Sequence, residues 1–140
     1  MRITASIQSE PASHQATVAT NEVEKQVAVP PREGMPGSSL NGGELLFLSL
    51  AICYGNDIYR EAAARDIPVE RVDVMVEGEF GRAGEPARSI SYRVRVAARA
   101  PEAMIVELIR HTDTVAEVHN TLRKGMPIEL VSFEAVSISD

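Results

Sequence analysis

One predicted helix, over residues 42–66, constrains the fold of this 140-residue chain more than any other feature. Asn41 is a good N-cap, and Glu44 follows it at the spacing of a capping box. The first half of the helix, LLFLSLAICY, is apolar nearly all round, which is typical of a helix that is buried on every side. The pattern becomes amphipathic after Gly55, and the helix must end before Pro68, because proline disfavours helical geometry in the residue ahead of it.

A helix of this kind must be covered on all its faces. A single chain with roughly six strands and two further helices leaves part of the surface open. A second copy of the chain can supply the missing cover, so the sequence predicts a homodimer that packs through this helix. The alternative is that the N-terminal strands fold over the helix within one chain.

Before this helix the chain shows strand patterns. Three short alternating segments begin near Ile3, His14 and Val23, and turn residues separate them. Residues 30–43, PPREGMPGSSLNGG, are rich in proline and glycine and predict a long loop. Long loops in compact domains are often functional or mobile.

After the helix, the segments VERVDVMVEGEFG and ARSISYRVRVAARA predict an antiparallel hairpin whose acids face arginines across a solvated surface. Pro101 opens a second helix, and a capping-box spacing from Thr114 to Glu117 predicts a third. The segment PIELVSFEAVSI predicts a last strand. This order indicates a single α+β domain over residues 1–140. Without the first strands it matches the ferredoxin-like order, but the sheet carries no aromatic RNA-binding run.

Composition narrows the range of possible functions. The net charge is −6 and the basic residues are scattered, so the sequence predicts no nucleic-acid partner. His14, His111 and His119 lie far apart and there is one cysteine, so no metal or other cofactor motif is present. A single cysteine forms no intrachain disulfide, and the chain shows neither a signal-peptide pattern nor an apolar run long enough for a membrane. We therefore expect a cytoplasmic protein without membrane association.

That cysteine, Cys53, lies at the seam between the apolar and polar parts of the long helix. Helical spacing places Ser49 on one side of it and Asn56, Asp57 and Arg60 on the other. The charge of Asp57 opposes thiolate formation, and Arg60 favours it from two turns away. From these residues alone a packing role is favoured over a reactive one, and an activating cation would have to come from elsewhere in the fold or from a partner chain.

Two segments carry a family resemblance. NGGELLFLSLAICYGNDIYREAAARDIPVERVDVMVEGEF resembles the OsmC/Ohr family of thiol-dependent peroxidases, and VAEVHNTLRKGMPIEL is similar to the segment that holds the family's second cysteine. The resemblance implies an intertwined homodimer in which long central helices are wrapped by antiparallel sheets. It also implies a reaction in which the first cysteine attacks an organic hydroperoxide and becomes a sulfenic acid. A second cysteine then resolves it, and an external dithiol restores both.

This chain departs from the family pattern at the second cysteine. Cys53 matches the peroxidatic position, but Ala116 stands at the resolving position and Glu117 stands where proline is usual. The resemblance therefore implies a divergent branch, in which either an external thiol relieves the oxidised sulfur or the pocket serves another purpose.

The groups that would hold the thiolate also differ. The family's glutamate falls on Gly43, and Glu44, one residue later, matches an acid of other branches. The family's arginine comes from the N-terminal region, where Arg2 and Arg32 are the candidates, and Arg32 in the loop is the better match. The resemblance thus assigns catalytic roles to Cys53, Arg32 and Glu44.

Two functions remain open from sequence. In the first, Cys53 reduces an organic hydroperoxide with one cysteine and an external thiol reductant, as part of a stress response. In the second, the dimer is not catalytic, Cys53 packs, and a pocket near Asn56, Asp57 and His119 binds a small apolar ligand. Ser49 and Arg60 complete the predicted pocket.

Overall fold

The computed structural model describes residues 1–138. The chain forms two compact units, Met1–Ser49 and Leu50–Asp140, and their boundary falls inside the long helix. A single domain over residues 1–140 stays a prediction.

The first unit contains a three-stranded antiparallel sheet. Strands β1 (Ile3–Glu10), β2 (Ser13–Thr20) and β3 (Val23–Val27) pair in the order β1-β2-β3. Asn21 and Glu22, which connect β2 to β3, have φ angles of +47° and +71°, the left-handed conformation that tight two-residue hairpin turns require. The three predicted strands are confirmed.

The predicted proline- and glycine-rich loop follows β3. A single antiparallel bridge between Pro31 and Ser38 closes it. The carbonyl oxygen of Gly37 lies 2.7 Å from the backbone nitrogen of Arg32 and 2.9 Å from Nε2 of His14 on β2. These contacts hold the two ends of the loop together, because the backbone groups of Arg32 and Gly37 are paired rather than left to solvent.

Helix α1 spans Gly42–Ala63. The predicted capping box is confirmed. The backbone N–H of Glu44 donates to Oδ1 of Asn41, and the backbone N–H of Asn41 donates to Oε2 of Glu44, both at 2.9 Å. The helix ends before Pro68, as predicted.

Among residues 1–138, the buried side chains of α1 lie on one side of the helix. Tyr54, Ile58 and Ala62 are buried, whereas Leu48 and Ile52 are each 53% exposed. The apolar surface of the helix therefore extends beyond the side that the described residues cover.

The second unit adds the predicted hairpin, β4 (Val69–Phe80) paired with β5 (Ala87–Ala98). Val74 lies opposite Val94, and one face of the hairpin packs against the buried side of α1. On the other face arginines pair with acids, including Arg93 with Glu77, as the alternation predicted. The buried centre of this unit consists of Tyr54, Ile58, Ala62, Ile67, Leu108 and Ala116.

Two further helices follow, α2 (Glu102–Val115) and α3 (Glu117–Lys124). The predicted capping box of α3 is wrong. The N-cap of α3 is Ala116, which has no side-chain cap, and Thr114 Oγ1 donates to the carbonyl oxygen of His111 at 2.7 Å. The turn between α2 and α3 is too short for the Thr114 hydroxyl to serve the start of α3, because α2 extends to Val115.

The predicted last strand is not present within the described residues. Residues 126–138 have no regular structure, and Ile128, Phe133 and Ile138 are 99%, 84% and 92% exposed. A strand needs a neighbouring edge with which to pair, and nothing in the described part of this chain pairs with the segment. Among the residues described, no helix is long and apolar enough to cross a membrane.

Candidate functional site

Cys53 lies where the second half of α1 meets the first turn of α3. Its Sγ is 3.6 Å from Oδ2 of Asp57, one helical turn on, and 4.0 Å from Oε2 of Glu117. A backbone hydrogen bond from Val118 also reaches the sulfur. The thiol is partly buried, so it is neither a fully packed core group nor a free surface group.

Arg60 supplies the positive charge of this cluster. Its Nη1 lies 2.8 Å from Oδ1 of Asp57 and 3.2 Å from Oε1 of Glu117. The ligand atoms of Cys53, Asp57 and Glu117 lie within 4.8 Å of one another, a grouping that a metal ion can use. Since the guanidinium of Arg60 already pairs with both carboxylates, we treat the group as a thiol, two carboxylates and one guanidinium.

The electrostatics of the cluster hold Cys53 in its thiol form. Burial raises the pKa of the Cys53 thiol. The backbone hydrogen bond from Val118 acts in the opposite direction, and the negative charges of Asp57 and Glu117 raise the pKa further. The pKa of the Asp57 carboxyl is also raised, because the group is buried and lies beside Glu117. The activating cation that the sequence left to be found is thus absent from the first contacts of Cys53 among residues 1–138.

The residue next to Cys53 faces a different environment. Tyr54 is fully buried and donates its hydroxyl to the carbonyl oxygen of Ile109 at 2.6 Å. Burial, together with the charge of Asp113, raises the pKa of Tyr54 to about 12. The ring of His119 lies against Tyr54 and Tyr92, with centroid distances of 5.8 Å and 4.8 Å.

His119 is 5% exposed, and neither ring nitrogen has a hydrogen-bond partner in the described part of the chain. The neighbouring polar groups are paired with one another instead. Tyr92 donates its hydroxyl to Asp113, and Nη2 of Arg123 lies 2.7 Å from Oδ1 of the same carboxylate. Burial and the positive charge of Arg123 lower the pKa of His119, so the imidazole is neutral near pH 7.

A small cavity of about 120 Å³ opens beside this histidine. Three aliphatic side chains and three polar or aromatic ones line it. They are Leu50, Ile90, Leu122, Tyr92, His119 and Arg123.

Of the predicted site residues, the structure brings Cys53, Asp57 and Arg60 together. Asn56 is exposed, and His119 lies in the second environment, against Tyr54. Ser49 donates its hydroxyl to the carbonyl oxygen of Leu46 at 2.7 Å, within its own helix.

The two remaining predicted residues belong to the first unit. Glu44 caps α1 through Asn41, and Arg32 lies in the loop with Nη1 3.8 Å from Sδ of Met35. Catalytic roles for Arg32 and Glu44 stay predictions.

Sequence reasoning missed the role of Glu117. The resemblance placed it beside the resolving position, which faces the first cysteine in the family, and that was a usable signal that its carboxylate would lie near Cys53. Reasoning also missed Tyr92, Asp113 and Arg123. No local pattern joins a strand residue to an acid on α2 and a base on α3, so their pairing depends on tertiary structure alone.

The fold agrees with the comparison to known proteins. A family model described as OsmC-like protein matches residues 35–131. The chain therefore belongs to the OsmC-like family. No match was found among curated proteins.

Solved structures share the fold at low sequence identity. An OsmC-like protein from Mycoplasma pneumoniae is 20% identical, with a TM-score of 0.64 over 89% of this chain and 87% of that one. An organic hydroperoxide resistance protein OsmC from Legionella pneumophila is 17% identical, with a TM-score of 0.53 over 88% and 90%. The organic hydroperoxide resistance protein OhrB of Bacillus subtilis is 14% identical, with a TM-score of 0.54 over 89% and 93%. These likenesses establish the α+β fold of the family.

Proposed function

We propose that this protein is a one-cysteine, thiol-dependent organic hydroperoxide reductase of low intrinsic reactivity, with Cys53 as its nucleophile. The observation that carries the proposal is the position of the sulfur. Cys53 on α1 is partly accessible, and its sulfur lies 4.0 Å from Oε2 of Glu117 in the first turn of α3. Similarity to proteins named for organic hydroperoxide resistance supports this substrate class.

The proposed reaction balances with one cysteine and two equivalents of an external thiol. The Cys53 thiolate attacks the outer oxygen of the hydroperoxide, an S–O bond forms, the O–O bond breaks, and the departing alkoxide takes a proton from water. The sulfur is oxidised to sulfenic acid and the peroxide is reduced to an alcohol. One external thiol then displaces water to form a mixed disulfide, and a second thiol releases Cys53 as a thiol.

The low reactivity follows from the carboxylates. Only the thiolate attacks peroxide efficiently, and burial together with Asp57 and Glu117 raises the pKa of Cys53. The Val118 contact favours a developing negative charge on sulfur but does not outweigh these groups. Arg32, or an arginine from a partner chain, is the proposed source of further stabilisation when substrate is bound.

We further propose that the protein acts as a homodimer in the cytoplasm. Exposed apolar side chains follow α1 at helical spacing, with Leu45 37% exposed and Leu48 and Ile52 each 53% exposed. The exposed apolar segment 126–138 needs a partner edge. A second copy that covers both would bury surface that a soluble monomer rarely leaves open. A single cysteine suits a reducing compartment.

The test is the consumption of an organic hydroperoxide in the presence of a small thiol, compared between the wild type and Cys53→Ser. We expect slow, Cys53-dependent turnover and a sulfenic acid that a dimedone-type trap captures at Cys53, detected by mass spectrometry of the intact protein. Equal rates in the two proteins, with no trapped adduct, would exclude the proposal.

A second candidate function is ligand binding without catalysis, which the raised pKa of Cys53 favours. In that case the thiol packs and is protected in the folded protein. Alkylation of Cys53 would be slow under native conditions and fast in urea. Rapid native alkylation would argue against this candidate and for the reductase.

A further inference from the structure

The two oxygens of the Asp57 carboxyl group have different neighbours. Oδ1 lies 2.8 Å from Nη1 of Arg60, whereas Oδ2 lies 3.6 Å from Sγ of Cys53 and accepts the hydrogen bond of the thiol. All three residues lie on one face of α1, where side chains three and four positions apart are neighbours. One oxygen of Asp57 is thus committed to a cation, and the other is directed at the reacting sulfur.

Asp57 is better placed than Glu117 to exchange a proton with this sulfur. The side chain of Asp57 is 7% exposed and that of Glu117 is 65% exposed, and the Glu117 oxygen is farther from Sγ, at 4.0 Å. Burial and the charge of Glu117 raise the pKa of Asp57. A hydrogen bond from its own backbone N–H, together with the charge of Arg60, lowers the pKa of Glu117. A carboxyl group whose pKa moves toward neutrality is the better general acid and base near neutral pH.

The reaction proposed for Cys53 requires a group of this kind. Attack by sulfur on an alkyl hydroperoxide releases an alkoxide, which is a strong base and departs more easily when it receives a proton as the O–O bond breaks. The proton of the thiol must likewise be taken up by a base. A carboxylate in contact with the sulfur can serve both needs in turn.

We infer that Asp57 is the catalytic proton relay of the peroxide step, an inference that rests on the reductase function. Oδ2 accepts the proton of the Cys53 thiol while sulfur attacks the outer oxygen, the S–O bond forms and the O–O bond breaks. The same proton then passes to the departing alkoxide, in place of one from water. The products are an alcohol, a sulfenic acid and the ionised Asp57 from which the step began.

The relay also defines the class of oxidant that benefits from it. A peroxy acid releases a carboxylate, a weak base that departs without a proton, so Asp57 offers it no assistance. The charge of Asp57 lowers the fraction of free thiolate for every oxidant, but only alkyl hydroperoxides gain the proton in return. The site therefore favours alkyl hydroperoxides over peroxy acids.

The test compares two oxidants of similar size within each protein. Ethyl hydroperoxide releases ethoxide, and peracetic acid releases acetate. The rate at which each oxidises Cys53 of the full chain is followed at pH 7 by trapping the sulfenic acid and by intact-protein mass spectrometry. Because accessibility and thiolate fraction affect both rates alike, the ratio of the ethyl hydroperoxide rate to the peracetic acid rate isolates the need for a proton.

The first comparison needs no substitution. The ratio for the wild type should exceed that of 2-mercaptoethanol, a thiol with no carboxylate beside it, by at least tenfold. In Asp57→Asn, which keeps the shape of the side chain but cannot relay a proton, the ratio should fall at least tenfold below that of the wild type. Equal ratios for the wild type and 2-mercaptoethanol would overturn the relay, whether or not the variant folds.

Glu117→Gln is the matched control, because it also removes a negative charge beside the sulfur but leaves Asp57 in place. Its ratio should equal that of the wild type. An unchanged ratio in Asp57→Asn, or an equal fall in Glu117→Gln, would overturn the relay and leave the reductase intact. If neither oxidant produced a sulfenic acid at Cys53 of the wild type, the reductase itself would be excluded, and the relay with it.

Discussion

Two neighbouring residues of α1 face opposite kinds of chemistry. Cys53 meets two carboxylates, Asp57 and Glu117, and thus has more hydrogen-bond acceptors around it than its single proton can serve. The ring of Tyr54 lies beside that of His119. Neither imidazole nitrogen of His119 has a protein partner among residues 1–138.

Each region contains an acid and an arginine, but they are used differently. Arg60 pairs with Asp57 and Glu117, the two carboxylates that contact the thiol. The negative charges of these carboxylates therefore lie next to the sulfur. Arg123 pairs with Asp113, which also accepts from Tyr92, and this leaves the imidazole outside the network. The thiol therefore has more acceptors beside it than it has protons to donate, whereas the buried imidazole has no hydrogen-bond partner among the described residues.

The largest expected effect tests the unpaired imidazole. Replacing His119 by phenylalanine removes two buried unpaired nitrogens and keeps an aromatic ring between Tyr54 and Tyr92. A buried unsatisfied polar group costs about 1–3 kcal/mol, so His119→Phe should raise the free energy of unfolding by about that amount. Urea denaturation followed by circular dichroism measures it.

The matched control is Tyr92→Phe, which removes a hydroxyl that is paired with Asp113. That substitution should lower the free energy of unfolding, by about 1 kcal/mol. If His119→Phe were also destabilising, the imidazole would already have a partner, such as a firmly held water, and the contrast between the two regions would be lost. A gain in stability would show that the unpaired imidazole costs the folded protein free energy.

The second effect tests the restrained thiol. Asp57→Asn keeps the shape of the side chain and removes a negative charge 3.6 Å from Sγ of Cys53. The thiolate fraction at pH 7.5 should rise, and alkylation by iodoacetamide should become roughly three- to tenfold faster. Stopped reactions analysed by intact-protein mass spectrometry give the rate.

Asp66→Asn provides the control, since Asp66 follows the end of α1 and is exposed. Its rate should equal that of the wild type. An unchanged rate in Asp57→Asn would show that burial alone restrains Cys53, whereas a slower rate would make Asp57 an activating group and reverse our description of the cluster.

Much of the fold could be predicted because its signals are local. The capping box of Asn41 and Glu44, the end of α1 before Pro68 and the alternation of β4 and β5 all depend on neighbours in sequence. The prediction of a last strand was wrong because strand pairing depends on residues that are distant in sequence. Its alternation is a local signal, but pairing requires an edge that the described chain does not offer to residues 126–138.

In the candidate site, too, only the contacts between residues close in sequence could be predicted. Asp57 was predictable as a neighbour of Cys53, because residues four apart share a helix face. Glu117 is 64 positions from Cys53 in sequence, and only the family resemblance pointed toward it. The sequence predicted a pocket near Asn56, Asp57 and His119. It could not predict that Leu50, Ile90 and Tyr92 line the cavity beside His119, because that lining depends on tertiary packing.

The smallest effect is a pH dependence that arises from His119 alone. Burial and Arg123 lower its pKa in the folded protein, so below the ordinary histidine value of about 6.5 the unfolded chain binds a proton that the folded protein does not. Stability is then fully present above pH 6.5 and decreases as the pH falls from there toward the lowered pKa. The slope cannot exceed about 1.4 kcal/mol per pH unit for one group.

The measurement is a set of urea denaturations between pH 7.5 and 5 for the wild type and His119→Phe. Because His14 and His111 are present in both proteins, the difference between the two curves isolates His119. The advantage of the phenylalanine variant should grow as the pH falls below 6.5, since only the wild type loses stability through this residue. Parallel curves would mean that His119 titrates alike in the folded and unfolded states. That outcome would place the imidazole in contact with solvent and remove the physical basis on which the two regions of α1 differ.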